Sequence, residues 1–139
     1  MATATTTTNP EDFNNRQPST VTGTAAPGTA GVTLVTLTVK DMLGRVGPKP
    51  RNIVVYLSDS AAGIGVSAVT ASGAVAVGAS GSDLVDHLAK KLKLVQTTAL
   101  GVYILSITDT LKTPFVVCVD FGNGQPPLVV LTLAAGNYG

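Results

Sequence analysis

Few residues of this chain have side chains that could do chemistry. His87 is the only histidine and Cys118 the only cysteine. Acid–base relays and metal sites need partners of matching type, and His87 has only Asp83 and Asp86 close to it in sequence. Cys118 lies within an apolar run, where a cysteine is usually a small buried side chain. We therefore expect no enzymatic activity, no metal and no cofactor.

Lys90, Lys91 and Lys93 form a basic cluster that could contact phosphate groups. No aromatic residue is interleaved with these lysines, and the formal net charge of the chain is only +1. Proteins that bind nucleic acid concentrate positive charge over a larger face. The cluster is therefore interpreted as a solvated surface or the end of a helix. Neither nucleic acid nor a membrane surface is expected as a partner.

The composition indicates a single domain with an unusually uncharged surface. Charged residues make up 12% of the chain, about half of the ~25% that is usual for soluble domains. Such a surface favours contact with other protein molecules, although a small domain covered by Thr, Ser and Gly is the alternative. We see no signal peptide and no apolar run of the ~20 residues that a membrane span needs. A soluble product of a reducing compartment is expected.

The first 30 residues differ in kind from the rest and predict an extended N-terminal arm, followed by a domain over residues 31–139. The arm is rich in Thr and Pro and has few large apolar residues. It could span about 100 Å when fully extended. A neighbouring subunit is the expected binding partner, with folding back onto the same domain as the alternative. Phe13, Arg16 and Val21 are the candidate contact residues, because they combine apolar and charged character.

The domain has the spacing of an all-β protein. Val35, Leu37 and Val39 alternate with polar residues, which predicts a strand with one buried face. Turn signals recur every 8–12 residues, as is typical of an antiparallel β-sandwich of the immunoglobulin-like type with about seven strands. The chain has no Trp, which excludes an antibody-like domain. Further predicted strands cover residues 53–57, 66–71, 74–77, 92–97, 102–107, 115–121 and 128–133.

One segment has a helical pattern. Leu84, Val85 and Leu88 are spaced so that they share one helix face, and Ser82 is a suitable N-cap. Asp83 and Asp86 would lie near the positive end of the helix dipole, with lysines near the negative end. The sequence therefore predicts one short helix over residues 82–92, covering an open edge of the sandwich.

Three segments resemble a known family. The turn at residues 39–46, the loop at 57–63 and the "turn–Gly–strand–Thr-Asp-Thr" pattern at 97–110 are similar to bacterial immunoglobulin-like domains, and in particular to small immunoglobulin-like proteins of tailed-phage virions. The resemblance covers about residues 32–135. The chain departs from it at Leu100, where the pattern usually has a small polar residue. Leu100, at the tip of its turn, is therefore a candidate for contact with a partner.

The resemblance implies a role in the virion. Some proteins of this kind decorate or cement the capsid, which implies a structural protein on the outer capsid surface, made in the host cytoplasm. Its partner would be the major capsid protein, and neighbouring copies would form a homo-oligomer or lattice. The alternative is an adhesion module of the neck, tail or fibres that binds carbohydrate. Tyr56 and Tyr103 fall in predicted strands, so few exposed aromatic rings are expected for stacking on sugars.

Overall fold

A computed structural model describes residues 18–46 and 49–139 of the chain. Nine strands lie within these residues: β1 Thr20–Pro27, β2 Val32–Lys40, β3 Asn52–Ser58, β4 Val75–Val77, β5 Ser82–Leu88, β6 Leu92–Gln96, β7 Val102–Thr108, β8 Val116–Asp120 and β9 Leu128–Thr132. A single turn of 3₁₀ helix follows at Ala135–Asn137.

The strands form two antiparallel sheets that pack face to face as a β-sandwich. One sheet has the order β1-β2-β7-β4 and the other the order β5-β6-β3-β8-β9. The inward positions alternate along each strand with outward ones, as on β2, where Val35, Leu37 and Val39 are buried. Branched aliphatic side chains fill most of the space between the sheets, with Tyr103 and Phe115 as the largest buried side chains. The predicted all-β class and sandwich architecture are confirmed.

Residues 20–27, which the sequence assigns to the N-terminal arm, form β1. This strand pairs with β2 without interruption from Thr20 opposite Lys40 to Pro27 opposite Thr33. Val21 and Ala25 are half-buried and pack against the core. Small inward side chains on β1 conceal the alternation that marks the other strands. The first 17 residues of the predicted arm lie outside the described residues.

The predicted helix over residues 82–92 is wrong. Residues 82–88 form β5, which pairs with β6 and has two register shifts, between Asp83 and Val85 and between Asp86 and Leu88. Each shift adds a residue that has no direct partner on β6. The inward side chains, Asp83 and Asp86, are consequently three residues apart instead of two. Leu84, Val85 and Leu88, whose spacing favoured a helix, share no buried face and are 44–50% exposed. The described residues contain helix only at Ala135–Asn137.

The remaining strand predictions are mostly confirmed. Residues 75–77 form β4, which pairs with β7 in the predicted region. Residues 66–71 form no strand and belong to the long connection between β3 and β4. This connection runs across the outside of the five-stranded sheet, where the hydroxyl of Tyr56 donates to the carbonyl of Gly63 at 2.7 Å. Asp59 accepts hydrogen bonds from the Ser67 hydroxyl and the Ala68 N–H. These bonds hold the connection against the domain although residues 66–71 do not pair as a strand.

Candidate protein-binding surface

A tight turn organised by one carboxylate follows β2. The Oδ1 atom of Asp41 accepts hydrogen bonds from the backbone N–H groups of Leu43 and Arg45, both at 2.9 Å. The Nε of Arg45 donates to Oδ2 at 3.0 Å. Burial alone would raise the pKa of Asp41, but the hydrogen bonds from Arg45 and Leu43 outweigh it and hold the pKa below its usual value. The carboxylate therefore stays ionised at neutral pH and fixes the turn.

The same turn directs apolar side chains into solvent. Met42 is 59% exposed and Leu43 is 60% exposed. The hydrogen bonds of Asp41 involve the backbone of the turn and the Arg45 side chain and leave the Met42 and Leu43 side chains to project outward. Met42 and Leu43 therefore contribute little to the stability of the fold, because apolar side chains stabilise a protein when they are removed from water.

The turn between β6 and β7 lies beside this one. The N–H of Val39, at the end of β2, donates to the carbonyl of Gly101 at 2.8 Å. Gly101 has a φ of +77°, and a Cβ atom there would lie 2.6 Å from the carbonyl oxygen of Val39. Only glycine satisfies both conditions. The side chain of Val46 is also close, with its Cγ1 3.5 Å from that Cβ position, so the two loops meet at Gly101.

We call the exposed apolar residues of these two loops the apolar tip: Met42, Leu43, Val46 and Leu100. Leu100 is 71% exposed and Val46 is 41% exposed. The predicted candidate Leu100 thus lies on the surface, and it has three apolar neighbours that the sequence reasoning missed. The signal was the Asp-x-x-Gly turn, which normally carries polar residues at its tip but has Met and Leu in this chain.

Basic residues are concentrated in the sequence at and after the Asp41 turn. Four of the nine Lys and Arg residues of the chain are Lys40, Arg45, Lys49 and Arg51, all within residues 40–51. The side chain of Arg45 is 51% exposed beside the buried Asp41, and Lys49 is exposed. The exposed Arg45 and Lys49 add positive charge at and next to the Asp41 turn, which suits a protein surface that has carboxylates beside an apolar region.

The start of the described chain lies at the same end of the sandwich. The N–H of Ser19 donates to the carbonyl of Lys40 at 2.9 Å, and the side-chain amide of Asn123 donates to the carbonyl of Pro18 at 3.1 Å. The predicted contact residues Phe13 and Arg16 lie outside the described residues, in the segment that joins the domain here. The third one, Val21, is on β1 and packs against the core of its own domain.

The three lysines of the cluster have separate partners in the structure. Lys93 is buried, with its Nζ 2.9 Å from Oδ2 of Asp83 and 2.5 Å from Oδ1 of Asp86. Lys90 and Lys91 instead donate to backbone carbonyls of the β3–β4 connection. The interpretation of these lysines as a solvated group or helix end is therefore wrong for Lys93, which points between the sheets.

Asp83 connects the two sheets at the β4–β5 side of the sandwich. Its Oδ1 accepts a hydrogen bond from the Tyr103 hydroxyl at 2.5 Å, and its Oδ2 accepts one from the Val77 N–H at 3.1 Å. Burial and the Asp83 hydrogen bond raise the pKa of Tyr103. The hydrogen bonds from Tyr103 and Lys93 outweigh the effect of burial and lower the pKa of Asp83. We call Asp83, Asp86, Lys93 and Tyr103 the inter-sheet cluster.

The other candidate residues are separated from one another. His87 lies exposed on β5, whereas Cys118 is fully buried on β8 beneath Gly63. Burial raises the pKa of the Cys118 thiol, which disfavours the reactive thiolate. Within residues 18–46 and 49–139, no three His, Cys, Asp or Glu residues are grouped so that they could hold a metal ion.

Searches for relatives found no match to this chain among protein-family models, curated proteins or solved structures. In the part of the chain that the structure describes, no helix has the length and apolar character to span a membrane. The apolar tip is a candidate functional surface because four large apolar side chains are exposed on two adjoining turns.

Proposed function

We propose that this chain is a structural protein of a tailed-phage virion, with an immunoglobulin-like sandwich that decorates the capsid. It binds the shell of the major capsid protein from outside and stabilises it. The apolar tip and the N-terminal segment before Pro18 make the contacts. The chain has no catalytic role in this proposal.

One observation carries the proposal: the apolar tip lies at the end of the sandwich where the N-terminal segment joins the domain. Four large apolar side chains are 41–71% exposed there. Ser19, next to the joining point, is hydrogen-bonded to Lys40, which precedes the Asp41 turn. A partner at this end therefore lies beside both the tip and the point where the N-terminal segment joins the domain. Two weak contacts that act jointly give a much higher affinity than either one alone.

The experiment is co-sedimentation of the purified chain with capsids that lack it. We expect the wild type to saturate the particles and the double variant Leu43→Ser/Leu100→Ser to bind at least about tenfold more weakly, since buried apolar anchors dominate interface energies. The matched control is Leu111→Ser, because Leu111 is 75% exposed at the opposite end of the sandwich. Unfolding stability should change by no more than about 0.5 kcal/mol in either variant.

Deletion of residues 1–17 tests the N-terminal segment separately. The deletion must stop before Thr20, since β1 pairs with β2 over its whole length. We expect a folded protein that no longer saturates the capsid. Full binding by the truncated chain would remove the N-terminal segment from the proposal, and full binding by the tip variant would remove the tip.

The virion site is decided by counting copies per particle. Capsid decoration requires a copy number that matches the capsid lattice, whereas a neck or tail protein is present in far fewer copies. The carbohydrate-binding alternative gains no support from the described aromatic residues, because Tyr56 is only 7% exposed and Tyr103 is fully buried. We therefore propose no second function.

A further inference from the structure

The sandwich has four edge strands, and they differ in how well they are protected. β1 and β4 bound one sheet, and β5 and β9 bound the other. The unpaired N–H and C=O groups of an edge strand can pair with another chain. Folded proteins prevent this with short strands, bulges, prolines or charges turned inward.

Three of the edges carry such devices. β4 has only three residues. β5 has two register shifts, and its Asp83 and Asp86 turn inward to Lys93. β9 has a register shift opposite Val117 and Cys118 and follows Pro126 and Pro127. These edges are poor templates for an added strand.

β1 lacks these devices over most of its length. Its eight residues pair with β2 in one continuous register, and none of them is charged. Its one proline, Pro27, is the last residue of the strand. Among the edges of the described domain, β1 therefore has the longest regular and uncharged backbone.

The pairing pattern shows which groups of β1 are free. β2 directs its odd-numbered positions to β7, since the N–H of Val39 donates to Gly101 and Gly31 accepts from the N–H of Asp109. The even-numbered positions of β2 therefore face β1, and in the observed register they pair with even-numbered residues of β1. The N–H and C=O groups of Val21, Gly23 and Ala25 point away from β2 toward the open edge.

We propose that β1 pairs antiparallel with β1 of a second copy, on a two-fold axis through Gly23. In this register the free groups of Val21 face those of the partner subunit's Ala25, and Gly23 faces the partner subunit's Gly23. In the described part of the chain these six positions have no other backbone partner, so the ladder is satisfied. The two four-stranded sheets become one eight-stranded sheet.

The side chains also match in this register. Thr22 lies opposite the partner subunit's Thr24 on the outer face, a favourable cross-strand pair. Val21 lies opposite the partner subunit's Ala25 on the inner face. Neither strand brings a charge to the contact, so a second copy meets no repulsion, and a two-fold axis makes one surface self-complementary.

This pairing does not depend on the capsid proposal, because it uses the side of the sandwich and leaves the apolar tip accessible. The two proposals can fail separately. A chain that dimerises but does not bind capsids would contradict only the proposed function. A monomer that binds capsids would contradict only the pairing.

The test is sedimentation of the full chain over a range of concentrations, combined with amide hydrogen exchange. We expect a reversible dimer of the 14.0-kDa chain, with the amides of Val21, Gly23 and Ala25 becoming protected as the concentration rises. A monomer at every concentration would overturn the proposal. Protection of these amides in a monomer would do the same, since it would mean that residues 1–17 cover the edge in the same chain.

Charge substitutions test the register. T22K/T24K places two pairs of lysines across the axis, and we expect dimerisation at least about tenfold weaker. T22K/T24E changes the same positions but pairs each lysine with a glutamate, and it should dimerise at least as well as the wild type. The control T36K/T38K adds the same charge to β2, away from the edge, and should dimerise like the wild type. Equal behaviour of T22K/T24K and T22K/T24E would overturn this register.

Discussion

The apolar tip and the inter-sheet cluster both reverse the usual distribution of side chains. At the tip, Leu43 and Leu100 are 60% and 71% exposed, whereas in the cluster the charged Lys93 is 3% exposed. The difference lies in their partners. Lys93 has two carboxylates and Asp83 has a hydroxyl and an N–H within the same chain. The tip residues lie on turns whose backbone is fixed by hydrogen bonds, and among the described residues no group buries their side chains.

The partners of a side chain distinguish a structural residue from a candidate binding residue. A buried charge whose partners all belong to the same chain is explained by the fold, because it fixes how the two sheets meet. Exposed large apolar residues on a turn with a fixed backbone gain nothing for the fold. The comparison therefore predicts that changes in the cluster alter stability and changes at the tip alter binding.

Asp83→Ala should have the largest effect on stability. It leaves Lys93 buried with one partner, Asp86, whose side chain is 55% exposed, and it leaves the buried Tyr103 hydroxyl without its acceptor. Removing one member of a buried charged pair costs about 3 kcal/mol or more, as measured by chemical denaturation. Asp86→Ala is the control and should cost much less. Capsid binding per folded molecule should be unchanged, and a selective loss of binding would make the cluster part of the interface.

Gly101→Ala should have the next largest effect. Both Gly101 and Gly44 have positive φ, at +77° and +76°, but only at Gly101 would the added Cβ meet another group, the Val39 carbonyl at 2.6 Å. The left-handed conformation costs an alanine about 1 kcal/mol, so Gly44→Ala should lose about that amount and Gly101→Ala about 2 kcal/mol. Equal losses would show that the contact between the two loops at the tip is unimportant for stability.

Acid should weaken the domain through a third carboxylate, Asp109. Burial alone would raise its pKa, but hydrogen bonds from Thr113, Ser72 and Leu111 lower it to about 2. Because the folded pKa lies below the unfolded value of about 3.9, the stabilisation is complete above about pH 4 and is lost as the pH falls toward about 2. The stability difference between the wild type and Asp109→Asn should shrink over that range. A difference that stays constant with pH would contradict this assignment.

The sequence predicted the strands that have many large apolar residues. β2 was assigned from the alternation of Val35, Leu37 and Val39, and β3 and β7 were assigned from apolar runs of strand-forming residues. β5 was assigned to a helix because Leu84, Val85 and Leu88 have the spacing of one helix face. In the structure they lie on a bulged edge strand and are 44–50% exposed. β1 was assigned to the arm because its inward side chains are small, as at Gly23, where a Cβ would lie 2.3 Å from a methyl group of Val130.

The candidate site was only partly predictable. Leu100 was found because it departs from a turn pattern, and the structure adds Met42, Leu43 and Val46 beside it. Their proximity depends on the contact between Gly101 and Val39, a long-range pairing that no local sequence signal specifies. The burial of Lys93 was missed for the same reason, since its partners lie on a strand that was assigned to a helix.

A cryo-electron microscopy reconstruction of particles that carry this chain tests the central claim most directly. The account predicts that the turns at residues 41–46 and 98–101 face the shell and bury Leu43 and Leu100 against the major capsid protein. The exposed Leu111 at the opposite end should then point into solvent. A reconstruction in which the apolar tip points into solvent, or in which the chain is missing from the shell, would contradict it.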